Sequence, residues 1–170
     1  DAMGGGTVAG TVASINTWLN GTNVIYERDL SIRLLLVNNT DVIFSADRGF
    51  TAATDPFTND GQGGEMLAQG ARVLAERVGV GNYNLGHVFG LNRGGAGATD
   101  GQASLGVVCQ NNGGNIGFAL KGSGFTRLSN PVGILTSVTT IVHEVGHMFS
   151  ADHTHNAAGC AAMNPENGYE

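Results

Sequence analysis

Apolar residues recur at every third or fourth position in three stretches of the chain, and this spacing is typical of the buried face of an α-helix. The first stretch covers residues 7–28 and the second covers residues 65–78. The third begins at Asn130 and Pro131, where an N-cap residue precedes a proline at the first helical position, and continues to about Phe149. The pattern therefore predicts three helices.

Shorter apolar runs between the helices predict strands. Asn38 and Asn39 separate the runs Ile32–Val37 and Val42–Phe44, and asparagine tolerates the left-handed backbone of a tight turn, so we expect a β-hairpin there. Three further strands are predicted at Leu85–Phe89, Leu105–Cys109 and Ile116–Leu120. The order of helix, hairpin, helix, strands and helix predicts an α/β (α+β) fold with helices packed on a mixed sheet.

The composition fits one folded domain covering residues 1–170. Apolar residues make up 41% of the chain and charged residues 13%, which is too much core material and too little charge for a disordered chain. A formal net charge of −6 disfavours nucleic acid and anionic membrane surfaces as partners. Because no apolar run approaches the ~18 residues that a membrane helix needs, no membrane-spanning segment is expected.

The third predicted helix carries the clearest chemical motif. Residues 143–147 have the sequence H-E-V-G-H, so the imidazoles of His143 and His147 lie one turn apart on the same face and can bind one zinc ion. His153 follows six residues later, and a sharp turn after the helix would bring it to the third ligand position. Glu144 is placed to accept a proton from a zinc-activated water, which is the role of a general base. Chance occurrence is the alternative, but three of the five histidines fall within eleven positions.

The segment His143–Asn156 resembles the zinc-binding segment of the metzincin peptidases, whose signature is H-E-x-x-H-x-x-G-x-x-H. It is most similar to bacterial reprolysin-like (adamalysin-type) metallopeptidases. Three other segments agree with that group: Tyr26–Leu30, Asn84–Phe89 and Gly101–Cys109, the last with the pattern G-x-A-x-x-G-x-x-C. The resemblance covers about residues 7–169. It implies a metzincin-like zincin fold, in which a twisted mixed sheet carries an active-site helix and a second long helix packs on it.

The sequence contains two further histidines, His87 and His155. His155 is the alternative third ligand, but the resemblance favours His153 because of its spacing in the extended motif. His87 alternates with apolar neighbours in a predicted strand, which indicates a hydrogen-bonded structural histidine rather than a ligand. The predicted metal ligands are therefore His143, His147 and His153.

The chain departs from the family pattern at two points. Ser150 occupies the glycine position of the signature, where a left-handed backbone is expected, and serine costs about 1 kcal/mol there. The family's Met-turn has no obvious counterpart, since Met163 follows His153 by only ten residues. We therefore expect a single catalytic domain that lacks the family's first strand and the C-terminal Met-turn segment.

Cysteines and acidic loops add weaker expectations. Cys109 and Cys160 could form a disulfide with each other, or either could pair with a cysteine outside the given sequence. Oxygen ligands for calcium are available at Asp55, Asn59 and Asp60, but their spacing does not fit an EF-hand loop, so a solvated loop is expected instead.

Together these observations predict a secreted, monomeric zinc endopeptidase. The resemblance implies that a peptide or protein substrate binds along an edge strand near Leu105–Cys109, through main-chain hydrogen bonds. Two alternatives remain at this point. One is a zinc-containing binding or adhesion domain that has lost its activity, and the other is an incomplete fragment of a peptidase.

Overall fold

The computed structural model describes residues 4–58, 63–91, 100–128 and 134–153. Within them, three α-helices surround a three-stranded sheet, and four short 3-10 turns connect these elements. The helices are α1 (Val8–Leu30), α2 (Gly63–Arg77) and α3 (Ile134–Met148), and the strands are β1 (Val88–Leu91), β2 (Gly101–Ala103) and β3 (Gly124–Leu128). The mixed α/β (α+β) architecture predicted from the sequence is confirmed.

The sheet has the strand order β1-β3-β2, with β3 in the centre. β1 runs parallel to β3, with Val88 opposite Phe125, whereas β2 runs antiparallel to β3, with Gly101 opposite Thr126. Every residue of β3 is buried, as expected for a strand that is paired on both edges and covered on both faces. In the described part of the chain, β2 therefore forms one edge of the sheet.

The helix predictions agree closely with the structure. α1 begins after Thr7, whose hydroxyl oxygen accepts a hydrogen bond from the Gly10 N–H at 3.1 Å, and ends at Ser31 in the left-handed conformation. α2 differs from its predicted bounds by one or two residues. The predicted N-cap of α3 at Asn130 and Pro131 lies outside the described residues, so it stays a prediction.

The core between α1 and α3 fixes how both helices lie on the sheet. Its buried residues are Trp18, Tyr26, Leu128, Ile141 and Val145. The Tyr26 hydroxyl donates a hydrogen bond to the main-chain carbonyl of Val142 in α3 at 2.9 Å. Burial raises the pKa of Tyr26 to about 12, so the hydroxyl keeps its proton and remains a donor at neutral pH. α1 thereby holds the middle of α3 by packing and by one buried hydrogen bond.

The predicted β-hairpin is wrong. Residues 32–37 belong to no strand of the described structure, and the side-chain amide of Asn23 instead bonds both main-chain groups of Leu34, at 2.8 and 2.9 Å. A cavity of about 670 Å³ is lined both by this segment and by β1. Leu35 is 79% exposed, whereas Ile32 and Leu34 pack against the core between α1 and α3.

The three later strands are displaced from their predicted positions. The strand predicted at Leu85–Phe89 begins three residues later, and those predicted at Leu105–Cys109 and Ile116–Leu120 are turns. Left-handed backbone conformations at Gly106 and Cys109 prevent a continuous strand in the first of these turns. β2 precedes the turn at Leu105–Cys109, and β3 follows the turn at Ile116–Leu120.

No helix among the described residues has the length and apolar character needed to span a bilayer.

Replacement of Tyr26 by phenylalanine should lower the free energy of unfolding by about 1 kcal/mol, because the Val142 carbonyl loses a buried donor while the ring packing is kept. Urea unfolding of both proteins checks this value. Thr17→Val is a suitable control, because the Thr17 hydroxyl bonds only the carbonyl of Ala13 one turn earlier on an exposed surface. Equal stability of wild type and Tyr26→Phe would contradict the role given to this hydrogen bond.

Candidate metal centre

Three imidazoles meet at the C-terminal end of α3. The Nε2 atom of His143 lies 3.1 Å from Nε2 of His147 and 3.0 Å from Nε2 of His153. The potential ligand atoms of the three residues all lie within 4.8 Å of one another. Tetrahedral ligands at ~2.1 Å from a zinc ion are about 3.4 Å apart, so the three nitrogens fit around one ion after a small adjustment.

The tautomer of His147 suits a metal ligand. Its Nδ1 atom lies 2.6 Å from the main-chain carbonyl of Ala151, and because a carbonyl only accepts hydrogen bonds, Nδ1 carries the proton. Nε2 therefore keeps its lone pair and points toward the other two histidines. This carbonyl partner was not predicted, since a main-chain group leaves no signal in the residue types.

A tight turn brings His153 back to α3, as the sequence predicted. The N–H of Ser150 bonds the carbonyl of His147 at 2.8 Å, and the N–H of Ala151 bonds the carbonyl of Gly146 at 3.0 Å. Ser150 has a φ angle of 78°, which is the left-handed conformation expected at the signature's glycine position. The turn forms with serine in place of glycine, at the cost of backbone strain.

The loop that follows β2 completes the end of α3. The N–H group of Gly106 bonds the carbonyl of His147 at 3.0 Å, while those of Val107 and Val108 bond the carbonyl of Met148 at 2.9 and 3.2 Å. The last carbonyls of a helix have no donors within the helix, so this loop satisfies groups that would otherwise be buried without partners. The segment predicted as a strand thus has another function, which is to cap the metal-binding helix.

Glu144 lies on α3, beside the cluster of three histidines, and is only 6% exposed. Its Oε2 atom is buried and has no hydrogen-bond partner among the described residues. Burial raises the pKa of Glu144, and the nearby charge of His147 opposes this effect. Glu144 and His143 share a cleft of about 410 Å³, whose other lining residues are Asp100, Gly101, Thr139 and Thr140.

The electrostatics of the cluster favour the neutral form of His143. Burial lowers the pKa of His143, and the positive charges of His147 and His153 lower it further. A neutral imidazole is the form that binds a metal ion, so the crowding of the three rings prepares His143 as a ligand.

His87 lies apart from this cluster, as predicted. Its ring is buried next to β3, with Nε2 at 2.9 Å from the hydroxyl of Thr126, and burial lowers its pKa to about 3. Of the other candidates, Cys109 is exposed and accepts a hydrogen bond from the Asn84 amide at 3.5 Å. Asp55 accepts a bond from the N–H of Phe57 at 2.8 Å, which is a turn contact in an ordinary loop.

Several candidates from the sequence lie outside the described residues, namely Asn59, Asp60, His155, Cys160 and Met163. The Cys109–Cys160 disulfide, the solvated loop expected around Asn59 and Asp60, the preference for His153 over His155 and the expected lack of the Met-turn segment therefore stay predictions.

Comparison with known families agrees with this geometry. The family model described as metallo-peptidase family M12B, reprolysin-like, matches residues 12–154. The chain belongs to this family. Membership confirms the predicted reprolysin-like metzincin resemblance and indicates a metallopeptidase that uses zinc, and the triad of histidines could hold such an ion. No curated protein matches the sequence.

Replacement of Ser150 by glycine should raise the free energy of unfolding by roughly 0.5–1 kcal/mol. Glycine relieves the left-handed strain, although it also gives the unfolded chain more freedom. Ser104→Gly is the matched control, because Ser104 has no positive φ angle and glycine should destabilise the protein there. Thermal unfolding of the three proteins in one buffer measures these differences in stability. A Ser150→Gly variant that is less stable than the wild type would contradict the backbone strain assigned to Ser150.

His87 should make stability depend on pH in the acid range. The unfolded state takes up a proton as the pH falls below about 6.5, whereas folded His87, with its pKa at about 3, does not. The contribution of His87 to stability should therefore fall by about 1.4 kcal/mol per pH unit below pH 6.5 and be unchanged above it.

His87→Gln removes this titration, so the difference in unfolding free energy between the two proteins should change by about 2 kcal/mol between pH 6.5 and pH 5. Urea titrations at several pH values measure the difference, and contributions from the other histidines cancel in it. If the unfolding free energies of the two proteins changed equally with pH, His87 would take up its proton in the folded state as readily as in the unfolded state.

Proposed function

We propose that the chain is a zinc-dependent endopeptidase in which His143, His147 and His153 hold one zinc ion and Glu144 is the general base. The observation that carries the proposal is the convergence of the three Nε2 atoms beside a buried carboxylate on the same helix. A purely structural zinc site needs a fourth protein ligand and no base, whereas a peptidase needs an open position and a base. Family membership supports the same class of enzyme.

Zinc, when bound, supplies a Lewis acid that polarises the scissile carbonyl and lowers the pKa of the attacking water. Glu144 takes the proton of that water on its carboxylate and later gives it to the amine that leaves. Its raised pKa suits both steps, because a more basic carboxylate accepts the proton more readily and remains a usable acid. His147 keeps its ligand nitrogen free of a proton through the bond from Nδ1 to Ala151.

The substrate in this proposal is an extended peptide that adds a strand to the outer edge of β2 (Gly101–Ala103). The sequence placed this edge at Leu105–Cys109, but that segment caps α3 instead. Asp100 and Gly101 line the cleft of Glu144 and His143, so a peptide along β2 would pass the metal centre. Main-chain hydrogen bonds along an edge strand give affinity without strong sequence preference. We also propose that the protein is secreted and acts as a monomer.

Ser150 and the lack of an obvious Met-turn suggested the alternative of an inactive binding domain. The turn at Ser150 still brings His153 to His143, so serine leaves the third ligand in place. The retained Glu144 supports the peptidase, since a purely structural zinc site needs no base. Hydrolysis of a quenched peptide pool by the 170-residue chain separates the two functions. Activity that chelator abolishes and zinc restores supports the peptidase, whereas a folded, zinc-loaded and inactive chain supports the binding domain or an incomplete fragment.

Replacement of Glu144 by glutamine should lower kcat/KM by at least about 100-fold while one zinc ion per chain is kept, because the amide has the same shape but cannot accept the proton. Glu76→Gln is the matched control, since Glu76 is half-exposed on α2 and, among the residues that the structure describes, pairs only with Arg72. Metal content and peptide hydrolysis are measured on the same samples. A Glu144→Gln protein with undiminished turnover would rule out the general base, and His147→Ala should lose both zinc and activity.

A further inference from the structure

The edge strand touches the carboxylate of Glu144 at Gly101. A Cβ atom at Gly101 would lie 2.6 Å from Cγ, 2.8 Å from Cδ and 2.7 Å from Oε1 of Glu144. Real Cβ atoms essentially never approach other heavy atoms this closely. Only glycine therefore fits at this position while Glu144 keeps its conformation.

The backbone is held in place on both sides of this contact. Gly101 is opposite Thr126 in the central strand, and the preceding carbonyl of Asp100 accepts a hydrogen bond from the N–H of Arg127 at 2.6 Å. Glu144 belongs to α3, where its neighbour Val145 is 2% exposed in the core shared with α1. The strand and the helix thus set the width of the gap that contains the carboxylate.

Hydrogen bonds do not explain how Glu144 is oriented. Its Oε2 atom has no partner among the described residues, although it is buried. The close backbone of Gly101 limits where the carboxylate can lie on the side of β2. By contrast, a Cβ at Gly90 in β1 would meet only Cγ of Arg127, at 4.0 Å, which is ordinary contact.

We propose that Gly101 is a positioning residue for the general base, and this inference rests on the proposed peptidase function. The absence of a side chain at Gly101 admits the Glu144 carboxylate between β2 and α3, and the Gly101 backbone holds it in the cleft beside His143. The substrate peptide is proposed to bind along the same strand, β2. One glycine would therefore set the distance between the bound peptide and the group that takes the proton from water.

The contact is tested first without any activity measurement, through a double-mutant cycle in thermal stability. Gly101→Ala should lower Tm by several degrees when Glu144 is present, because the methyl group overlaps its side chain. In the Glu144→Ala background the same change should lower Tm no more than the control Gly90→Ala does. Equal losses in both backgrounds would overturn the contact.

The positioning role is tested by kinetics on the zinc-loaded variants. Gly101→Ala should reduce kcat roughly 10- to 100-fold, since a displacement of the base by about 1 Å has effects of that size. KM should change by less than about threefold, and zinc content should stay at one ion per chain. Gly90→Ala should retain wild-type kcat.

The variant Glu144→Asp provides a second kinetic test, because its shorter side chain leaves space next to Gly101. In a Gly101→Ala background, the loss of kcat caused by Glu144→Asp should be smaller than in the wild type, since the added methyl group occupies the space left by the missing methylene. Losses that multiply, or full kcat in Gly101→Ala, would overturn the proposal. An active Glu144→Gln enzyme would instead overturn the peptidase mechanism itself, so the two failures are distinguishable.

Discussion

The C-terminal end of α3 is the constraint on which the site depends. A helix that ends inside a protein leaves main-chain carbonyls that need donors. Here the carbonyls of His147 and Met148 receive N–H groups from the loop Gly106–Val108, and the turn at Ser150 supplies another. These bonds stop the helix at the residue where the chain must reverse, and the reversal carries His153 to the other two histidines.

Electrostatics and burial then act in the same direction. Burial lowers the pKa of His143 and raises that of Glu144, so it shifts both groups toward their neutral forms. A nearby metal ion would oppose this shift for the carboxylate, since a positive charge stabilises it. Neutral His143 is also the form that binds a metal ion, which links the protonation of the cluster to metal binding.

The site combines segments that are distant in the chain. α3 provides two ligands and the base, while the start of β2 approaches the base through Gly101. Tyr26 of α1 holds α3 from the opposite side by its bond to Val142. Precision at the metal centre thus comes from packing on both sides of one helix. The segment 32–37 lies beside a large cavity, and its Ile32 and Leu34 pack against the core between α1 and α3.

The sequence by itself determined the helices, the H-E-x-x-H face and the left-handed turn at Ser150, because these depend on residues close together in the chain. The strands were placed less well. The segment Leu105–Cys109 has the apolar pattern of a strand, but its N–H groups pair with the end of α3, and no local pattern encodes that choice. Likewise, the exclusion of a side chain at Gly101 follows from a glutamate 43 positions later. Only the tertiary structure decided these features, since hydrogen-bond partners and close contacts between distant segments are fixed when the helices pack on the sheet.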